Sequence, residues 1–182
     1  MKHILFIIGS LRKNSFNRRI AQQAAHILEG KAQVSYLDYT ALPLMNQDIE
    51  FPTPEAVAQV RQQVLQADGI WIFTPEYNHS YPGLLKNLID WLSRPMKQGD
   101  FGGATALAGR KICLSGAGGR SATADCLGKL TELLTFVRAE VMTSPRLGVA
   151  LAPASFMTDE LTLTESQVQT LRQEAEAFLA FI

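Results

Sequence analysis

The sequence predicts an α/β fold in which a parallel sheet carries helices on both faces, a three-layer sandwich. Two observations lead there. Short apolar runs alternate along the chain with stretches whose apolar residues recur at helical spacing, which is how fully covered strands and their crossover helices read. At 182 residues the chain can bury roughly 70% of its unfolded surface in one core, and no repeat, low-complexity tract or composition break divides it. A single domain over residues 1–182 is therefore expected.

In chain order, a first strand is expected at residues 3–8, where Ile4, Leu5, Phe6, Ile7 and Ile8 run unbroken up to Gly9. The first helix carries Ile20, Ala24, Ile27 and Leu28 on one face, and a second strand follows at residues 33–37. Thr53 as cap and Pro54 at the first helical position open a second helix, with Val57, Val60 and Val64 along one side. A third strand lies at 70–74 and a third helix at roughly 83–92, with Trp71 and Trp91 read as core. The fourth strand is placed at 111–115, and Leu127, Leu130, Leu134 and Val137 align on the fourth helix. A weaker strand near Val141 precedes a last helix bearing Val168, Leu171, Phe178 and Ile182, ahead of which Thr164 and Gln167 have capping-box spacing. Residues 38–52 and 93–108 fit neither period and read as long loops of the kind that serve function or interfaces.

Five strands alternating with five helices leave two common doubly wound orders, and this length suits the smaller, flavodoxin-like one, 2-1-3-4-5. In that order ligands bind beyond the carboxyl ends of the strands, at the switch point between strands one and three. Three polar loops converge there, residues 9–17, 75–82 and 116–121, each directly following an apolar run.

Composition narrows the function. Seventeen Lys and Arg balance 17 Asp and Glu, which leaves no global basic field for nucleic acid or an anionic membrane. Only 19% of residues are charged and 47% are hydrophobic, which excludes disorder. The two cysteines, Cys113 and Cys126, make neither a disulfide framework nor a C-x-x-C or zinc motif, so a reducing cytoplasm is the expected location. The apolar run after Lys2 is too short for a secretory peptide or a membrane span, and a transit peptide would not open on a buried-type strand.

The first loop suits an anion. It leads into a helix N-terminus, where free N–H groups and the helix dipole favour negative charge, and Ser10, Ser15 and Asn17 add side-chain donors. Arg12, Lys13, Arg18 and Arg19 fall within eight residues where an even spread of the 17 basic residues would place about 0.7. An equally weighted reading has Ser15 only capping the helix and the basic residues forming a solvated face. The second loop offers Tyr77, His79 and Tyr81 beside backbone amides, suited to a planar heterocycle, although these aromatics serve equally to cover a sheet edge or meet a second subunit. In the third loop Gly116 and Gly118 permit close backbone approach, and Arg120 either meets a nucleotide or caps the fourth helix.

Other chemistries lack their motifs. No Gly-Lys-Ser/Thr closes the first loop and no G-x-G-x-x-G follows the first strand. Cys113 and Arg120 are one residue too far apart for a cysteine phosphatase, no G-x-S-x-G occurs, and His3, His26 and His79 have no partners at metal spacing.

The stretches GSLRKNSFN at 9–17, LPLMNQDIE at 42–50 and PEYNHSYPGLLKNLIDW at 75–91 resemble the NADPH-dependent FMN reductase family, which includes quinone, azo-dye and chromate reductases. The resemblance covers nearly the whole chain. It implies a flavodoxin-like fold, tightly but noncovalently held FMN, NADPH or NADH as co-substrate, and a homodimer or a tetramer of dimers. It further implies that Ser10, Arg12, Ser15, Phe16 and Asn17 hold the ribityl phosphate, and that Pro75, Glu76, Tyr77 and Asn78 line the ring. Ser115, Gly116, Ala117 and Gly118 approach the other side of the ring on the same grounds, and His79 falls where relatives vary. The expected reaction passes two electrons from NAD(P)H through FMN to a quinone, azo compound, chromate or nitroaromatic by a ping-pong sequence. The flavin carries that chemistry, and no side chain is assigned a catalytic role. An electron-carrier flavodoxin is the competing reading, but such carriers tend to be acidic for docking and this chain is neutral.

Overall fold

The computed structural model describes residues 1–182 and contains a parallel sheet in the expected 2-1-3-4-5 order. Its centre is β1 (Lys2–Ile8), β3 (Gly69–Thr74) and β4 (Lys111–Gly118), with β2 (Ala32–Tyr36) at one edge. The buried middles of these strands are apolar because both faces are covered. Leu5, Ile7, Ile70, Ile72, Ile112 and Leu114 point into one core, closed by α2 (Glu55–Gln66), α3 (Gly83–Leu92) and α4 (Ala124–Phe136). Ile4, Phe6, Trp71, Phe73 and Cys113 point into the other, under α1 (Phe16–Ile27) and the C-terminal α6 (Glu165–Phe181). In that second core Trp71 stacks on Phe73 at 5.1 Å, and Phe6 lies 4.9 Å from the same ring, contacts worth about 0.5–1.5 kcal/mol each beyond area burial.

Both tryptophans are buried as expected, and the capping box of α6 is present in both directions, with Thr164 Oγ1 accepting from the Gln167 N–H and Gln167 Oε1 accepting from the Thr164 N–H. The start of α2 differs from expectation: Pro54 is the flanking residue, with extended backbone and no side-chain cap bond, so Thr53 lies outside the helix and caps nothing. Its hydroxyl is one residue too early to reach the first free amides.

The sheet's far edge also differs. β5 (Glu140–Val141) pairs with Lys111–Ile112, and a further strand, β6 (Gly148–Ala150), pairs with Gly116–Gly118. The fifth position is thus two short strands interrupted at 142–147, and β4 runs three residues beyond its expected end at Ser115 because β6 gives it hydrogen-bond partners there. A short helix, α5 (Pro153–Thr158), follows β6 and was without a periodic signal.

The two long segments brace α3. Tyr39 is buried and donates to the Ile8 carbonyl at 2.6 Å, while Pro43 O accepts from Asn87 and from the Trp91 indole. Arg94 grips the Glu50 carboxylate with two hydrogen bonds of 2.9 Å, tying the second segment to the first. No helix is long and apolar enough to cross a membrane.

Candidate cofactor site

A cavity of about 310 Å³ opens beyond the carboxyl ends of β1, β3 and β4, near the lower end of small-ligand sites. All three anticipated loops reach it, and a fourth segment joins them.

Ser10, Arg12, Ser15, Phe16 and Asn17 form the first wall. Ser15 caps α1, its Oγ accepting from the Arg18 N–H at 3.4 Å, and no acid stands in the first turn. The cap leaves donors to spare: the backbone N–H groups of Lys13 through Asn17 find no acceptor in the chain. Capping and anion binding therefore coexist at this helix end, whose dipole adds to the attraction. Of the four clustered basic residues only Arg12 lines the cavity, its guanidinium 5.1 Å above the Phe16 ring.

Asn17 departs from its expected use as a side-chain donor. Its amide oxygen accepts from the Ala117 N–H at 2.8 Å and its amide nitrogen donates to the Ala117 carbonyl at 3.1 Å. The side chain is spent on joining the start of α1 to the end of β4, and only its backbone N–H is left for a ligand.

Pro75, Glu76 and Tyr77 form the second wall, with Tyr77 half exposed at the mouth. Tyr77 and Ser80 exchange two backbone hydrogen bonds of 2.9 Å, so Asn78 and His79, at φ 51° and 56°, occupy the tip of a tight turn of the I′ kind. That geometry removes the Asn78 side chain from the cavity wall, contrary to expectation. The N–H groups of Glu76 and Asn78 find no acceptor in the chain. The Glu76 carboxylate accepts from Ser121 Oγ at 2.5 Å and from the Cys126 N–H at 2.9 Å, so it caps α4, whose flanking Thr123 sits at φ 65° and makes no cap bond. An acid at that end is favoured by the helix dipole. The exposed Arg120 therefore caps nothing. Tyr81 packs on the α3 core, the covering role. His79 bonds Asp125 at 2.5 Å on the surface; with Glu76 these two bring potential metal-ligand atoms within 4.8 Å, but both Glu76 oxygens are already engaged.

Ala117, Gly118 and Gly119 make the third wall. A Cβ on Gly118 would lie 2.8 Å from Thr123 Cγ2, so glycine lets the strand end pass under the entry to α4. Ser115 and Gly116, expected at the ring, are not in the wall. With β4 extended, Ser115 is interior to the strand and faces α6, where it accepts from the Trp71 indole at 2.8 Å and donates to Glu174 at 2.9 Å. Gly116 is pressed against Thr74, whose carbonyl oxygen would be 2.4 Å from an added Cβ.

Leu151 and Phe156 supply the fourth wall, which sequence reading missed. Leu151 is set by its N–H bond to the Gly118 carbonyl, and Phe156 meets Phe16 edge-on at 5.8 Å. The one local trace was the alternation of Leu147, Val149 and Leu151, which marks β6.

The cavity thus has an amide-rich, cationic end beside α1 and an apolar slot edged by backbone amides between Tyr77, Ala117 and Leu151. That donor set fits a flat heterocycle bearing a phosphate tail.

Comparison with known proteins agrees. Residues 2–154 match the family described as NADPH-dependent FMN reductase. A 2-hydroxy-1,4-benzoquinone reductase from Burkholderia sp. is 35% identical over 145 residues, 79% of this chain and 76% of that protein. The quinone reductase of Escherichia coli (strain K12) is also 35% identical, over 98% of this chain and 94% of its own. Among solved structures, the flavoenzyme NAD(P)H:(acceptor) oxidoreductase FerB from Paracoccus denitrificans superposes with a TM-score of 0.85 at 28% identity, covering 99% of this chain and 96% of that one. The sequence match over most of the chain and the flavodoxin-like sheet together settle the assignment: this protein belongs to the NADPH-dependent FMN reductase family, oxidoreductases that work with FMN and NAD(P)H.

Proposed function

We propose that residues 1–182 act as one FMN-binding unit that passes two electrons from NAD(P)H to a quinone, with FMN seated in the cavity beyond β1, β3 and β4. The carrying observation is the run of unpaired N–H groups from Lys13 to Asn17 beside Arg12, opening into an apolar slot. The N–H groups of this run, with the Ser10 and Ser15 hydroxyls and Arg12, bind the phosphate. The Glu76 and Asn78 N–H groups meet the polar edge of the ring, and Tyr77 stacks at the mouth. Ala117 and Gly118 let the backbone approach, while Leu151 and Phe156 give the slot its apolar fourth wall. Bound FMN supplies the two-electron chemistry. No side chain in the cavity is placed as an acid or base: the one carboxylate in the wall, Glu76, is committed to α4.

A single open mouth for nicotinamide and acceptor favours a ping-pong sequence, and the shallow slot is compatible with azo compounds, chromate and nitroaromatics as further acceptors. Exposed Leu11 and Leu44, which line one surface depression with Leu42 and Leu84, support assembly into a homodimer or homotetramer. The neutral charge and free cysteines are consistent with work in the cytoplasm, on small molecules, with no nucleic acid or stable membrane association.

Anaerobic spectroscopy tests the proposal. Protein loaded with FMN should be yellow, bleach on adding NADPH without a partner protein, and recover its colour with a benzoquinone. Failure to retain FMN overturns the site; reduction only through a separate reductase overturns the enzyme in favour of an electron carrier. Steady-state lines that intersect in double-reciprocal plots would overturn the ping-pong order.

A further inference from the structure

We propose that Asp159 is an internal counter-ion of the phosphate site, occupying Arg12 and Asn14 until a ligand phosphate displaces it, and so setting how far the site favours phosphorylated over unphosphorylated flavin. The inference rests on the cavity being the FMN site.

Three contacts support it. The Asp159 carboxylate pairs with the Arg12 guanidinium across 147 positions of sequence, and its other oxygen accepts from Asn14 Nδ2 at 3.0 Å. Both partners belong to the loop whose free amides form the anion site. The third contact is Phe156 on Phe16, which seats α5 against the same loop. Otherwise α5 is loosely held: none of its residues is buried, and Met157 is fully turned to solvent. The hydrogen bond from Asn14, and then Arg12, hold the Asp159 carboxyl below its usual range, as expected of a carboxylate serving as the local anion.

The displacement follows from charge and geometry. The Arg12 and Asp159 side chains are 43% and 33% exposed, so water screens the pair and it is held weakly. A phosphate brings up to two charges and three acceptor oxygens to a place where five N–H groups lack partners. Two anions cannot share one guanidinium without repulsion, so phosphate entry works against Asp159. Riboflavin, with no phosphate, leaves the pair untouched. Asp159 sits at φ 60°, a conformation that asparagine also tolerates, so the charge can be removed without disturbing the backbone.

The test compares wild type with Asp159→Asn by flavin fluorescence titration at low ionic strength. FMN should bind about two- to fivefold more tightly to D159N, while riboflavin binding stays unchanged. Amide exchange over residues 153–159 should quicken when FMN binds wild type, and should be fast with or without FMN in D159N. Weaker FMN binding to D159N, equal shifts for both flavins, or slower exchange on FMN binding would each overturn the counter-ion role while leaving the cavity assignment standing. Wild type that binds neither flavin would overturn both.

Discussion

Glu174 should make the protein lose stability as the pH rises toward neutrality, and Glu174→Gln should abolish that loss. The residue lies on α6 with no solvent exposure, against the middle of β4. One carboxylate oxygen accepts from Ser115 Oγ at 2.9 Å and from the Leu147 N–H at 3.0 Å, and the other lies 3.2 Å from the Cys113 sulfur. Burial pushes the carboxyl from 4.5 up to about 7, outweighing the hydrogen bonds and the Arg146 charge that favour ionisation. The same burial, reinforced by Glu174, raises the Cys113 thiol well above its ordinary value. Below about pH 4.5 Glu174 is protonated in both folded and unfolded chains. Between there and about 7 the unfolded chain has released the proton and the folded chain still holds it, so unfolding free energy falls with pH. At 1.36 kcal/mol per unit the loss is about 3 kcal/mol, complete above pH 7. Glutamine keeps the shape, leaves an oxygen for Ser115 and Leu147, turns an N–H toward the Cys113 sulfur, and does not titrate. Urea denaturation of both proteins at pH 4.5, 6, 7 and 8 measures the difference, in which every other titrating group cancels. The stability of E174Q relative to wild type should climb by about 3 kcal/mol across that range, a shift of roughly 1 M or more in midpoint difference. A difference that stays constant with pH would refute the reasoning.

Three further outcomes follow from the site's geometry. Asn17→Ala leaves the Ala117 N–H and carbonyl without partners at a buried position and should cost roughly 2–4 kcal/mol of unfolding free energy; an unchanged urea midpoint would show that this bridge does not hold α1 to β4. Gly116→Ala should destabilise by about 1–3 kcal/mol because its Cβ meets the Thr74 carbonyl, whereas Gly119→Ala, with open space around it, should be near neutral; equal melting temperatures for the two would contradict the packing. Glu76→Gln removes the charge at the N-terminus of α4 and one of its two acceptors, which should cost about 1–2 kcal/mol and speed amide exchange at Cys126, and protection there equal to wild type would remove Glu76 from its capping role.

Much of the fold is legible in the chain because it is written locally. Ile4 to Ile8 and Ile70 to Phe73 are apolar at every position, which identifies strands covered on both sides without knowledge of their neighbours. The loops that follow them are legible for the same reason: eight of the nine residues expected in the first two walls line the cavity, as do Ala117 and Gly118 of the third; the expected members that do not are Asn78, Ser115 and Gly116. Their placement hangs on backbone pairings that residue periodicity does not report. Ser115 faces α6 rather than the cavity because β6, some thirty residues on, lengthens β4 past it. Asn78 is lifted off the wall by a two-residue turn whose closure depends on Tyr77 meeting Ser80.

Sheet order and the convergence of its loops are readable in the chain, since both follow from residue periodicity, chain length and the handedness of crossover connections. What each site side chain does is set by packing. The Asn17 amide is bound 100 residues away at Ala117, Glu76 is committed to α4, and Arg12 meets an acid near the far end of the chain. Periodicity reports which face of an element is buried, whereas a hydrogen-bond partner across the fold is chosen only when the elements have packed.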